Sequence, residues 1–273
     1  PARGDAARAV LERLARGALI RQAAKQLRTA DDPTYERFKR LSHDIGPAVI
    51  PPLAEALSSE QDARSRRRLR DILVEFGAAG RESVQQLMNA ANWEVRRTAA
   101  FLLREFGGAE GLRELQPLLT DTEPLVQREA IQALILNGTD AASQILLQAL
   151  TTTTGRPREN LIAELAGMRD ERAGPLFCYL VRHVDRKAFH TVYVGAIDAL
   201  GSFGGPDAVE ALKEALQHGH WLAPVRTRQT RAAAAQALRR IGTSPAVAAL
   251  RDASTRGSLG VRRAARAELK RLG

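Results

Sequence analysis

Residues 93–107, WEVRRTAAFLLREFG, decide the fold, because they form one amphipathic helix that carries its own stop signal. The apolar residues recur at three- and four-residue steps and make one stripe, and the charged residues fall elsewhere around the helix. Asn92 is placed as an N-cap, and Gly107 supplies the left-handed residue that commonly closes a helix. We therefore predict one helix with both ends marked.

The chain repeats this helix together with its closing glycine. Most copies stand about 31 residues apart, with two longer steps of about 35 and 38 residues, and such a period is typical of stacked helical hairpins. The glycine column runs through Gly46, Gly77, Gly107, Gly138, Gly204, Gly242 and Gly273, with Arg169 in a degenerate copy. Each repeat holds a first and a second helix joined by a short turn, and no apolar segment has the period of a strand. The sequence predicts an all-α stack of about eight antiparallel helix pairs.

The two ends of the chain carry signals of their own. Residues 5–17, DAARAVLERLARG, look like a second helix whose first helix is missing. We therefore interpret residues 1–17 as a partial N-terminal repeat and the chain as a fragment of a longer protein. Residues 259–273 are strongly polar, as the capping helix of a repeat array should be. We expect residues 1–273 to form a single repeat domain.

Composition limits the classes of partner. The formal net charge is +10, which puts nucleic acid, anionic lipid headgroups and acidic proteins among the candidates. Cys178 stands alone in an apolar run, which excludes an internal disulfide framework and predicts a buried thiol. The sequence has no signal-peptide pattern and no apolar run of about 18 residues, so we expect a cytoplasmic protein without membrane insertion.

One recurring motif resembles a known family. The pattern V-R-x-x-A-x-x-x-L-x-x-x-G runs from Val95 to Gly107 and again from Val261 to Gly273, and it resembles the bacterial HEAT repeat of the phycobilisome-lyase type. The resemblance implies a right-handed α-solenoid, a superhelix of antiparallel HEAT helix pairs whose second helices line a concave surface. It also implies a binding scaffold, since most members of the family act as one.

Some relatives of this family are enzymes with recognisable residues. Deoxyhypusine hydroxylases resemble this fold but hold iron with His-Glu pairs, and no histidine here is followed by glutamate; His43 precedes Asp44. HEAT-like DNA glycosylases hold DNA with an aspartate, a tryptophan and arginine, but the position of that motif is not matched around Trp93 or Trp221. A bilin lyase would need a chromophore pocket, for which no residues stand out. We expect no catalytic residues, no metal and no cofactor.

A second column of residues lies in the first turns of the second helices, at a fixed spacing before each column glycine. We call it the ladder, and its members are Tyr35, Arg66, Arg96, Gln127, Arg158, Tyr193, Arg231 and Arg262. Two interpretations stay open: the arginines bond polar groups of neighbouring turns, or they bind phosphate or carboxylate beside a row of helix N-termini. A secondary basic patch poses the same choice, and it comprises Arg64, Arg66, Arg67, Arg68, Arg96 and Arg97.

The two longest repeats carry their extra residues between first and second helix, at 181–190 and 218–231. Since insertions in a solenoid map to loops on one face, we expect the two loops to meet in a partner or anion site. The candidate residues are Arg158, His183, Arg186, His190, Tyr193, His218, His220, Trp221, Arg226, Arg228 and Arg231.

Three interpretations of this loop cluster stay open. Trp221 and Pro224 pin the loop against the solenoid, with solvated histidine and arginine around it. Alternatively, arginine and an exposed aromatic ring form an anion or peptide site. The third interpretation is a metal site made by His218, His220 and either His183 or His190.

These features together favour a non-catalytic scaffold that binds another protein, or another domain of its parent chain, through its concave face and basic edge. Nucleic-acid binding along the basic edge, including a glycosylase-like activity, is the first alternative. A lyase or hydroxylase of the HEAT-repeat enzyme type is the second.

Overall fold

The computed structural model of the chain describes residues 18–219 and 224–272, apart from the side chains of residues 18, 109 and 110. Within these ranges the backbone forms sixteen α-helices joined by turns, and no β-strand. The helices fall into eight successive pairs, so the predicted all-α class and the number of helix pairs are confirmed. None of the helices in the described ranges is long and apolar enough to span a membrane.

The chain divides into two compact units, Pro1–Ala133 and Leu134–Gly273, and the division falls within one helix. In unit 1 the first helices are α1 (Ala18–Lys25), α3 (Ile50–Ser59), α5 (Arg81–Leu87) and α7 (Gly108–Glu114), and the second helices are α2 (Asp32–Ile45), α4 (Ala63–Glu75), α6 (Trp93–Phe106) and the start of α8 (Pro124–Asn137). In unit 2 the first helices are α9 (Asp140–Thr152), α11 (Gly174–His183), α13 (Pro206–Gln217) and α15 (Ser244–Arg256), and the second helices are α10 (Gly155–Gly167), α12 (His190–Phe203), α14 (Pro224–Ile241) and α16 (Leu259–Leu269). The single domain over residues 1–273 stays a prediction, and the partial repeat at residues 1–17 lies outside the described residues.

Within each unit, the helices pack against their partner or against helices of the adjacent repeat. In unit 1, α3 contacts α1, α4, α5 and α6, and in unit 2, α12 contacts α10, α11, α13 and α14. Leucine side chains of both first and second helices are fully buried in this packing, such as Leu53 of α3, Leu73 of α4 and Leu103 of α6. This is the packing that a helical repeat array requires, because one helix pair cannot bury its apolar face alone.

Both ends of α6 form where the sequence marks them. The side chain of Asn92 accepts a hydrogen bond from the backbone N–H of Glu94 at 2.9 Å, and the N–H of Gly107 donates to the carbonyl of Leu103. Gly107 has a positive φ of 64°, as predicted, and its ψ of −162° lies outside the left-handed helical region. This combination of φ and ψ is adopted essentially by glycine alone. The column glycines 46, 77, 138, 204 and 242 also have positive φ.

One first helix of unit 1 is cut short by a proline. α7 spans Gly108–Glu114, and a separate 3-10 turn, Pro117–Thr120, follows it. Pro117 has no N–H to continue the helical hydrogen-bond pattern, so the helix breaks before it.

The second helices of unit 2 approach each other closely at glycine. A Cβ atom added at Gly201 of α12 would lie 2.6 Å from the Cβ of Ala237 on α14, and one added at Gly195 would lie 2.8 Å from the Cα of Ala166 on α10. Real Cβ atoms do not approach other carbons so closely, so glycine sets the spacing of these helices.

Candidate functional site

Four ladder residues donate side-chain hydrogen bonds to backbone carbonyls at the ends of the first helices of their own repeats. The bonds run from Arg66 to Glu60 at 2.7 Å, from Arg96 to Ala90 at 2.8 Å, from Gln127 to Leu119 at 2.9 Å and from Arg231 to His218 at 3.3 Å. The last carbonyls of a helix have no partner within it, so these donors satisfy them. At these four positions the geometry favours the structural interpretation of the ladder.

Arg96 also forms a bidentate ion pair. Its Nε and Nη2 atoms donate to the two carboxylate oxygens of Asp121 at 2.6 and 2.8 Å, a bidentate and charge-assisted arrangement. Burial alone would raise the pKa of Asp121, but hydrogen bonds from Arg96 and from the backbone N–H of Glu123 lower it below its ordinary value. Arg96 therefore holds two repeats of unit 1 together.

The arginines that open α4 reach back to the preceding repeat. Arg68 is only 5% exposed and donates to the carbonyls of Leu27 at 3.1 Å and Ala30 at 2.7 Å. Both Arg68 and Arg64 bind the carboxylate of Asp32. Arg68 thus lies between repeats rather than on a surface patch, which explains why cations crowd a helix N-terminus that disfavours them.

The two remaining members of the secondary basic patch lie at the surface. Arg97 is half-buried, and its Nε lies 3.7 Å from a carboxylate oxygen of Glu129. Arg67 is exposed and has no hydrogen-bond or ion-pair partner among the described residues. Within this patch, Arg67 is the guanidinium group most open to a ligand.

Two ladder residues of unit 2 depart from the pattern. The guanidinium carbon of Arg158 lies 4.8 Å from the ring centroid of Phe189, and its Nε has no hydrogen-bond partner. Tyr193 is fully buried, and its hydroxyl has no hydrogen-bond partner either. Burial raises the pKa of Tyr193, although the nearby cation Arg186 opposes that shift. Buried polar atoms without partners are rare and costly, so they mark this part of unit 2 as a candidate site.

A pocket of about 410 Å³ opens beside Tyr193, and residues of both insertions line it. The candidate residues that line it are Arg186, His190, Tyr193, His218 and Arg226. Lys187, Asp185, Thr227 and Thr230 also line it, although the sequence interpretation missed them. Lys187 and Asp185 lie within the insertion at 181–190, so the insertion itself was the signal that could have found them.

The groups that line this pocket are held by short-range contacts. The guanidinium carbon of Arg186 lies 5.3 Å from the ring centroid of Tyr193, and Arg226 donates to the carbonyl of Lys187 at 3.3 Å. The carboxylate of Asp185 accepts hydrogen bonds from the backbone N–H groups of Lys187 and Ala188, and these bonds lower its pKa. Arg186, Arg226 and Asp185 are therefore each restrained by a neighbouring group, and the pocket is rich in cations.

Four other candidate residues of the described ranges do not line this pocket, and they are Arg158, His183, Arg228 and Arg231. The ring of His183 packs on Tyr179, with 4.2 Å between ring centroids. Arg228 and Arg231 line a neighbouring groove of about 620 Å³, together with Arg263 of α16.

The metal interpretation stays open. His220 and Trp221 lie outside the described residues, so the site that needs His220 is not tested. Within residues 18–219 and 224–272, no three His, Cys, Asp or Glu side chains are grouped as metal ligands would be.

Cys178 lies in the core of unit 2, as predicted. Its side chain is buried, and burial raises the pKa of its thiol to about 11. A thiol with such a pKa is almost fully protonated near neutral pH and is a poor nucleophile.

A groove of about 850 Å³ in unit 1 includes Arg66 and Arg67 of the secondary basic patch. It is lined by residues of the second helices α2, α4 and α6. Phe101 lies in it between two arginines, with 5.2 Å from its ring centroid to the guanidinium carbon of Arg70 and 4.9 Å to that of Arg104. In the sequence, Phe101 falls outside the apolar stripe of α6, so the helical period places its ring away from the core-facing side of the helix.

Comparisons with known proteins place these helices in a family. A family model described as HEAT repeats matches residues 81–166 and 184–270, together more than half of the chain. A search of the curated proteins found no match.

Several solved structures are similar in fold. Human deoxyhypusine hydroxylase in complex with glycerol shares 20% identity over 85% of this chain and 98% of that chain, with a TM-score of 0.32. Kap121p bound to Nup53p shares 14% identity over 92% of this chain and 32% of that chain, with a TM-score of 0.41. An archaeal HEAT-like repeats protein from Thermococcus onnurineus NA1 shares 14% identity over 96% and 95% of the two chains, with a TM-score of 0.30. At these identities and TM-scores, the similarities carry no argument about function.

Proposed function

Because the chain belongs to the HEAT-repeat family, we propose that it is a non-catalytic scaffold that binds another protein, or another domain of its parent chain. Binding uses the surfaces of the second helices. A helical repeat array offers an extended surface of fixed side chains, so this surface loses little conformational entropy when a partner binds.

The observation that carries this proposal is Phe101 in the groove of unit 1. An aromatic ring flanked by Arg70 and Arg104 has the composition of an interaction hot spot, where aromatic and arginine side chains dominate binding energy. Phe101 is partly exposed, so a partner can still cover it. Its removal should therefore affect binding more than folding.

The charges of this groove favour a protein over a nucleic acid. Four carboxylates and four cations line it. The carboxylates are Glu36, Asp71, Glu75 and Glu105, and the cations are Lys39, Arg66, Arg67 and Arg70. A phosphate backbone is uniformly negative and would meet repulsion from these carboxylates. A folded protein can match such a mixed surface with complementary charges of its own.

The test is capture from a nuclease-treated lysate of the source organism with wild type, Phe101→Ala and Arg113→Gln. Arg113 is an exposed residue of α7 outside the groove, so its variant controls for a surface substitution elsewhere in unit 1. We expect wild type and Arg113→Gln to retain the same protein and Phe101→Ala to lose it, with all three melting at similar temperatures. If Phe101→Ala retains that protein fully, the groove is not the binding surface.

Nucleic-acid binding is the second candidate, and the net charge of +10 is the observation that favours it. A duplex held through phosphates releases counterions, so its affinity should fall steeply between low and moderate salt. Anisotropy of a labelled duplex, measured across that salt range, tests this candidate. A weak response that does not change with salt would count against it.

A further inference from the structure

Two cations of the pocket in unit 2 lack a carboxylate partner, whereas several other arginines of that unit have one. Arg182 pairs with Glu214, and Arg239 pairs with Glu268. Arg186 and Lys187, by contrast, have no ion-pair partner among the described residues. Among the described residues that line the pocket, Asp185 supplies the carboxylate, and it accepts backbone hydrogen bonds. The pocket therefore holds positive charge that the described residues do not neutralise.

Tyr193 adds an independent observation. Its side chain is fully buried, it lines the pocket, and its hydroxyl has no hydrogen-bond partner among the residues that the structure describes. Buried hydroxyl groups nearly always have a partner, because leaving one unpaired is unfavourable. An oxygen atom of a bound ligand would accept a hydrogen bond from this hydroxyl.

The guanidinium group of Arg186 is already positioned for such a ligand. It lies over the ring of Tyr193, so its plane is restricted before any ligand arrives. Arg226 is linked to the opposite insertion through the carbonyl of Lys187. A planar guanidinium with restricted orientation is suited to bidentate binding of a carboxylate.

The shape and the lining of the pocket favour a peptide over a nucleic acid. About 410 Å³ is the volume of a small ligand site and accommodates one or two side chains. Single-stranded nucleic acids bind through bases stacked on exposed aromatic rings, whereas the ring of Tyr193 is buried beneath Arg186.

We propose that this pocket binds an acidic peptide segment, with Arg186 and Arg226 holding a side-chain carboxylate and the hydroxyl of Tyr193 donating to the ligand. This proposal rests on the proposed function as a protein-binding scaffold, and it names the chemistry of a partner at a second surface. The ligand class is a run of Asp or Glu residues in an extended segment.

The experiment uses fluorescence anisotropy of a short fluorescein-labelled glutamate-rich peptide with the full chain. The same peptide with glutamine in place of glutamate is the ligand control. Arg186→Gln and Arg226→Gln each remove one lining cation, and Arg251→Gln removes an exposed cation of α15 outside the pocket. We expect each pocket variant to weaken binding about tenfold, because a hydrogen bond to a charged group is lost, and Arg251→Gln to bind as wild type does.

A fourth variant keeps the test valid if Arg186→Gln melts early. Arg186→Lys keeps the charge and loses the planar fork, so it should also weaken peptide binding although net charge is unchanged. Equal weakening by Arg251→Gln and the pocket variants would overturn the proposal in favour of non-specific charge attraction. Tighter binding of a single-stranded oligonucleotide of equal charge, with the same dependence on Arg186, would assign the pocket to nucleic acid instead.

The outcome is separable from that of the scaffold proposal. In one outcome, the capture of a protein depends on Phe101 while the glutamate-rich peptide fails to bind. That pair of results would support the scaffold proposal and contradict the acidic-peptide pocket. Peptide binding that depends on Arg186, without any captured protein, would support the acidic-peptide pocket and remove the scaffold proposal.

Discussion

In unit 1, Arg96 of the ladder donates to two carbonyls and to both oxygens of Asp121. In unit 2, Arg158 and Tyr193 occupy equivalent places in their repeats, but Arg158 Nε and the Tyr193 hydroxyl are left without partners. The comparison teaches that one repeat position serves stability where the neighbouring turn supplies an acceptor. Where the turn supplies none, the same position leaves a polar group available to a ligand.

The largest expected difference separates Arg96→Ala from Arg158→Ala. Arg96→Ala leaves the buried carboxylate of Asp121 without its cation, so we expect unfolding free energy to fall by about 3 kcal/mol. Arg158→Ala removes a cation–π contact and no observed hydrogen bond, so we expect a loss below about 1 kcal/mol. Urea unfolding followed by circular dichroism measures both. Equal losses would mean that the two positions do not differ in role.

A second prediction tests whether loose packing explains the unpaired groups of unit 2. Gly201→Ala would force a Cβ atom against Ala237, so we expect a loss of about 2 kcal/mol. Gly174→Ala is the control, because a Cβ atom there meets no neighbour, and its effect should be close to zero. The same urea measurements apply. A tolerated Gly201→Ala would indicate that unit 2 has room to relax.

The pH dependence of stability should carry the signature of Asp121. Its pKa is lowered in the folded state, so its contribution is present above the unfolded pKa of about 3.9 and is lost as pH falls through the folded value. Wild type should therefore lose more stability on acidification than Asp121→Asn does. Asp44→Asn removes an exposed carboxylate of α2 and should leave the acid profile of wild type. Parallel profiles for all three would contradict the assigned role of the pair.

The smallest expected effect is that of Tyr193→Phe. Near neutral pH it removes an unpaired hydroxyl, so stability should change by less than about 0.5 kcal/mol or rise slightly. The pKa of Tyr193 is raised on folding, so the stability contributed by its neutral form is present below about pH 10 and is lost as pH rises further. Wild type should thus lose more stability than Tyr193→Phe in alkali, as thermal melts would show. Tyr179→Phe controls for the loss of a tyrosine. A large loss of stability for Tyr193→Phe at neutral pH would indicate that its hydroxyl does have a hydrogen-bond partner.

Local chemistry made much of the fold predictable from sequence. The column glycines and Asn92 act through their own backbone and side chain, so their roles can be assigned without knowing the neighbours. The meeting of Arg186 and Arg226 in one pocket also followed, because both stand in insertions of adjacent repeats.

The sequence by itself determined the helix pairs, their ends and the place of the insertions, since these depend on periodicity and on short-range hydrogen bonds. Only the tertiary structure decided that Arg68 turns inward to Leu27, that Phe101 stands between two arginines, and that Tyr193 finds no acceptor. Each of those outcomes depends on which atom of an adjacent repeat arrives within about 3 to 5 Å, the range over which hydrogen bonds and cation–π contacts act. Side-chain type fixes what a residue can bind, and the packing of repeats fixes whether a partner is there.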